Sequence, residues 1–210
     1  MGMHKPGPEA PSSRGGPAIP LWIKLCCTAW VVILIPIWIR VQGLHNFLWL
    51  SDIGLFGACI ALWLENRLLA SMMAVGVVLP DLGWTLLFIG RLVFDSSPLE
   101  QSGFMFDPTL PLFVRGLSLF HALIPPLLMW MVYRLGYDRR ALPFQTLLTA
   151  GVLLLTYVAT DSADNINFVA GFGDPPQPPL PQPAWVLVQT PILFLGAFLP
   201  THLFLRWLSP

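Results

Sequence analysis

The stretch LLASMMAVGVVLPDLGWTLLFIGRL, residues 68–92, holds one acid and one base, Asp81 and Arg91. A helix needs about 20 predominantly apolar residues to cross the hydrocarbon core of a bilayer. This stretch therefore reads as a transmembrane helix with a single carboxylate near its middle. Five more continuous apolar runs surround it, at residues 21–39, 46–64, 110–133, 142–160 and 183–207. Strands of an outer-membrane barrel would instead alternate polar and apolar residues over segments of about ten. The expected fold is all-α: a polytopic membrane bundle of six transmembrane helices over residues 21–207.

Composition gives the same answer. Of 210 residues, 55% are apolar and only 10% charged, with eleven Lys plus Arg balanced by eleven Asp plus Glu. Soluble domains carry roughly 25% charged residues, so an ordinary soluble domain is excluded, as is a disordered chain. Zero net charge offers phosphates no attractive field, which excludes an electrostatic nucleic-acid binder. Residues 1–20 hold five prolines among Gly and Ser and read as a disordered cytoplasmic tail. Residues 175–183 hold six prolines and read as an extended polyproline arm on the outer face.

The first run follows Lys5, Arg14 and Lys24 as a signal peptide would, but no small-x-small cleavage site follows Ile39, so it reads as a retained helix. With both termini cytoplasmic, Lys5, Arg14, Lys24, Arg67, Arg134, Arg139, Arg140 and Arg206 fall inside, and only Arg40, Arg91 and Arg115 outside. This is the positive-inside pattern of a protein of the plasma (inner) membrane. The three cysteines, Cys26, Cys27 and Cys59, form no disulfide framework and read as small packing residues.

Acids inside a membrane helix cost about 2.5–3.5 kcal/mol on insertion scales and need partners or a wet cavity. Here their depths agree. Counted at about 1.5 Å per residue, Asp52, Asp81 and His121 all fall in the outer half of the bundle. His45, Trp49 and Asp52 are expected on one helical face. Pro80 and Pro125 are expected to break their helices beside Asp81 and His121. His45, Asn46, Arg115, Asp164, Asn165 and Asn167 are expected to form the mouth of an outward-facing polar cavity. The many Trp and Phe read as lipid-facing or interfacial.

Several chemistries use such residues. A histidine held by a buried carboxylate is a general base, which casts His121 in that role with Asp81 or Asp52 as its orienter and Ser118 as the polarised hydroxyl. Arg115 could hold the phosphate or carboxylate of a membrane lipid, and Asn165 and Asn167 could donate to an oxyanion. This describes a lipid-modifying hydrolase or acyltransferase. Midplane carboxylates beside helix breaks also suit a small-solute or proton-coupled transporter. A third class is a non-catalytic subunit or assembly factor, as a homo-oligomer or with a membrane protein partner, whose polar groups pair helices. No helix carries the paired ligand spacing of a metal site, so none is expected.

The stretches at residues 45–52 (HNFLWLSD), 115–121 (RGLSLFH) and 164–167 (DNIN) resemble those of a family of bacterial multi-pass membrane proteins. That likeness covers most of the chain after the tail and implies a fold without an activity. A remoter likeness is to the YwaF-like integral membrane proteins and their acyltransferase relatives. These pair an intramembrane histidine with an outer Asn-containing segment ahead of a proline-containing loop, as do His121, Asn165 and Asn167 here. The acyltransferase relatives use a cysteine nucleophile, whereas Cys59 lies toward the inner end of its helix.

Overall fold

The computed structural model describes residues 19–94, 100–173 and 175–208. Among these the regular structure is all helical, with turns between the helices and one isolated antiparallel bridge between Phe172 and Gln177. Eight α-helices follow in order: α1 Leu21–Val41, α2 Leu50–Leu64, α3 Arg67–Phe94, α4 Leu112–Leu117, α5 Phe120–Leu135, α6 Ala141–Ala159, α7 Gln182–Leu193 and α8 Leu199–Leu208. A π-helical segment, Phe194–Phe198, joins α7 to α8 without a loop. Five helices are long and apolar enough to cross a membrane, counting α4 with α5 and α7 with α8 as single rods, which fits an integral membrane protein. Helix α2, at 15 residues, is shorter; about 1.5 Å per residue gives it roughly 22 Å.

Helix α3 is the axis of the bundle, and α2, α5, α6, α8 and the π segment pack around it. Its Ala70, Ser71, Ala74 and Gly76 are small and buried, so neighbouring backbones approach closely. This matters in lipid, where apolar surface gains little by leaving the hydrocarbon and helices associate mainly through fit and polar ties. Across the α2–α3 contact a Cβ on Gly54 would stand 2.6 Å from Cγ1 of Val77. Val77 is β-branched and stiff at χ1, so the glycine is what the spacing requires.

One end of the bundle is closed by polar ties. Lys24 Nζ meets Glu65 at 2.7 Å, joining α1 to the α2–α3 turn. Arg67 donates to the Tyr137 carbonyl at 2.6 Å, and the Asp138 N–H donates to Ser71 Oγ. The Tyr137 hydroxyl and His202 Nδ1 lie 2.6 Å apart. Burial pushes the Tyr137 phenol up to about 12, so it stays neutral in this tie. The side chain of Arg140 hydrogen-bonds the Asp138 carboxyl and holds it below its ordinary range.

Four sequence expectations are corrected at the other end. The second apolar run is not one helix from residue 46. Leu44–Leu48 forms a 3₁₀ turn, Trp49 is extended with φ −56° and ψ 132°, and α2 begins only at Leu50. Gly43 at φ 83° sets this turn, and the Asn167 amide takes over the bonds a continuous helix would make, accepting from the Leu50 N–H and donating to the Leu48 carbonyl. His45, Trp49 and Asp52 therefore do not share a helical face. The fourth run breaks at Ser118 and Leu119, before His121 rather than at Pro125. Pro125 and Pro126 offer no N–H to the turn before them. That turn tightens into i→i+3 bonds, His121 to Ser118 and Ala122 to Leu119. Pro80, by contrast, leaves α3 unbroken, because one missing bond is carried by a helix packed on several sides. The proline stretch is not a free arm. Gln177 exchanges both backbone bonds with Phe172, at 2.8 and 3.2 Å, folding the segment back before α7.

Gly54→Val should destabilise the fold by about 1–3 kcal/mol, the cost of overpacking a close contact. Gly83→Ala, whose Cβ would meet nothing within 4 Å, should be neutral or slightly stabilising. Denaturant melts of both variants in one detergent check this pair.

Candidate functional site

At the end opposite the Lys24–Glu65 tie, a cavity of about 940 Å³ opens between α1, α2, α3, α5 and the α7–π rod. Asp81 on α3, one turn beyond Val77, is a buried polar group of its wall. The break before α5 places His121 opposite it, with Nδ1 3.1 Å from Asp81 Oδ1. The imidazole is gripped on both faces. Trp84, one turn along α3 from Asp81, stacks on it with centroids 4.4 Å apart, and Phe120 lies at 4.2 Å. When the Asp81 carboxylate accepts from Nδ1, the proton sits on that nitrogen and Nε2 carries a lone pair.

Asp52 enters from the first turn of α2. It is 2% exposed, as is Asp81, and both line the cavity. Asp52 Oδ1 and Asp81 Oδ2 are buried without a protein hydrogen-bond partner. Ser118, at the end of α4, lines the same cavity and is buried. Its carbonyl accepts from the His121 N–H in the i→i+3 turn that leads into α5. Near the mouth, His45 Nε2 stands 3.6 Å from Asp164 Oδ1, both partly exposed, and Asn46 lines the wall.

Asn167 also lines the wall, but its amide is committed. It bonds Leu50, Leu48 and the Thr156 hydroxyl, and its carbonyl accepts from Gln189. An oxyanion role is therefore closed to it. Asn165 lies outside the lining. Its side chain accepts from the Ala170 N–H and donates to the Gly171 carbonyl, holding the loop in shape. Arg115 does not reach the cavity either; it donates to the Met105 carbonyl at 2.9 Å, because α4 turns it toward residues 100–106. The expected anion-binding arginine is thus a structural tie.

The sequence reading missed two kinds of residue. Gln189 lines the wall with Oε1 unpartnered, and its position mid-way along the last apolar run was the available signal. Trp38, Trp84 and Trp185 are buried wall residues rather than lipid-facing ones. For Trp84 the signal was its place three residues after Asp81.

Compared with protein-family models, curated proteins and solved structures, the chain matches none.

Asn167→Ala removes three side-chain hydrogen bonds, each worth about 1 kcal/mol net, and strands buried partners. The expected loss is about 2–4 kcal/mol of stability in a denaturant melt. A variant that melts like wild type would mean these bonds do not hold the turn before α2.

Proposed function

We propose that the chain is a six-span integral protein of the inner membrane, with both termini cytoplasmic, and that its cavity performs acid–base chemistry on a membrane lipid from the outer leaflet. The observation that carries the chemistry is the His121–Asp81 contact on a cavity wall. The sixth span is α2. Helix α1 leaves the Lys24 end and delivers the chain to His45 at the cavity end, so α2 has to return it to Glu65. The 3₁₀ turn before α2 accommodates its shortness. Arg67, Arg134, Arg139, Arg140 and Arg206 gather at the Lys24 end, which supports placing that end in the cytoplasm.

The lipid reading is supported by how the cavity meets the apolar surface. Leu79 and Ile192 line it and are 38% and 50% exposed. The wall thus runs out between α1 and the α7–π rod onto a surface that hydrocarbon would cover. A lipid can enter there without leaving the bilayer. Within the cavity His121 Nε2 takes a proton from the Ser118 hydroxyl or a water as that oxygen attacks an ester carbonyl, and returns it to the departing alcohol. Asp81 fixes the tautomer and stabilises the imidazolium that forms. The YwaF-like resemblance points to the same class, with the cysteine nucleophile of those relatives replaced.

The test is lipid mass spectrometry of the purified chain in nanodiscs made from bacterial lipid extract. Wild type should convert at least one lipid. His121→Ala should lower the rate by about 10²–10⁴-fold, the range for a general base, with an unchanged melt. Conversion that survives His121→Ala, or none by wild type, overturns the reading. Thiol labelling at Ser162→Cys from outside and Arg140→Cys from inside checks the orientation.

A further inference from the structure

The hydrogen-bonding inventory of the cavity wall is one-sided. Among the described residues that line it, three buried side-chain atoms lack a protein partner: Asp52 Oδ1, Asp81 Oδ2 and Gln189 Oε1. All three are oxygens. The Gln189 amide is oriented by its neighbours, since its Nε2 faces the carbonyls of Asn167 and Phe168 at 2.9 and 3.2 Å. Its oxygen is therefore the free group. Buried acceptors without donors cost free energy, so a ligand that satisfies these three oxygens is a donor.

Charge narrows the class. Asp52, Asp81 and Asp164 line the cavity, and none of the described lining residues is Lys or Arg. The bases on the wall are His45 and His121, and each already stands beside an acid, Asp164 and Asp81, so an anionic head group would find no basic side chain without an acid beside it. Trp38, Trp49 and Trp185 also line the cavity, and tryptophan is the best aromatic partner for a cation. A bare metal ion fits less well, because among the described residues no group of three or more His, Cys, Asp or Glu is placed to hold one.

We infer that the cavity binds the protonated amine of a long-chain aliphatic amine, its N–H groups donating to Asp52, Asp81 and Gln189 and its chain leaving past Leu79 and Ile192. This names the head group of the lipid in the reading above and rests on that reading for the chain's entry from the bilayer. The ammonium carries three N–H donors, one for each of the three oxygens, and a single positive charge to set beside Asp52, the carboxyl that has no histidine partner. A quaternary ammonium supplies the charge but no donor, and an alcohol supplies one donor but no charge.

The experiment measures binding of radiolabelled dodecylamine to the full chain in phosphatidylcholine nanodiscs, with partitioning into empty nanodiscs subtracted. Dodecanol, dodecanoate and dodecyltrimethylammonium serve as competitors. Dodecylamine should saturate at one per chain and bind at least tenfold more tightly than each competitor. Asp52→Asn and Gln189→Met should each weaken it about tenfold or more while leaving dodecanol competition unchanged. Binding of dodecylamine no tighter than dodecanol, or equal to dodecyltrimethylammonium, overturns the proposal. Those comparisons use wild type alone, so a variant that fails to fold does not rescue it. Selective amine binding without lipid conversion would sink the catalytic reading and keep this one, and conversion without amine selectivity would do the reverse.

Discussion

The arrangement depends on one side chain, the amide of Asn167. It sits in the left-handed region at φ 53°, a conformation that Asn tolerates better than most residues. From there it joins three parts of the chain that are distant in sequence: the entry to α2, the Thr156 hydroxyl on α6 and, through its carbonyl, Gln189 on α7. In hydrocarbon no water satisfies a stray N–H or C=O, so irregular backbone survives only where protein supplies the bonds. The 3₁₀ turn and the extended Trp49 are that irregular backbone. They let α2 start with Asp52 in its first turn, at the cavity wall rather than on a lipid face.

Two buried carboxyls lining one cavity set its electrostatic problem. Asp81 has part of its answer in the protein, the imidazole of His121, which Trp84 and Phe120 hold in place. Asp52 has no equivalent partner. The structure could have placed a cation there: Arg115 lies on α4, two short turns before His121. It turns to the Met105 carbonyl instead, and Lys24 is spent on Glu65 at the far end. Among the described residues the wall holds no Lys or Arg, so Asp52 has no arginine or lysine beside it.

Much of this was legible before any coordinates, for definite reasons. Helices α3 and α6 match their apolar runs to within two residues at each end, because length and hydropathy set the ends of a continuous apolar helix. Depth counting placed Asp52, Asp81 and His121 at one level, because rise per residue is fixed, and the structure brings the three to one wall. Illegible were the features decided by tertiary partners. Nothing near residue 45 announces that an amide 120 positions later will replace helical bonds. Nothing in the RGLSLFH segment says that the arginine finds a carbonyl ten residues upstream. Trp38 and Trp185 look like any interfacial tryptophan until a cavity appears beside them.

The π segment Phe194–Phe198 brings the remaining wall into place. Pro191 offers no N–H, so the α7 rod is loosened just before it, and the wider i→i+5 turns follow at once. Wide turns of this kind recur at functional sites, and here the effect is geometric. Ile192, Gly196 and Phe198 all line the cavity, with Phe198 fully buried and Ile192 half exposed. A Cβ on Gly196 would meet nothing within 4 Å, so this glycine is not required by a close approach. What it does is leave width at the seam between α7 and α1, beside the exposed Leu79 and Pro80 of α3. The widened helix and the missing side chain act in the same direction, holding open the route by which a chain held in the bilayer would reach Asp52, Asp81 and His121.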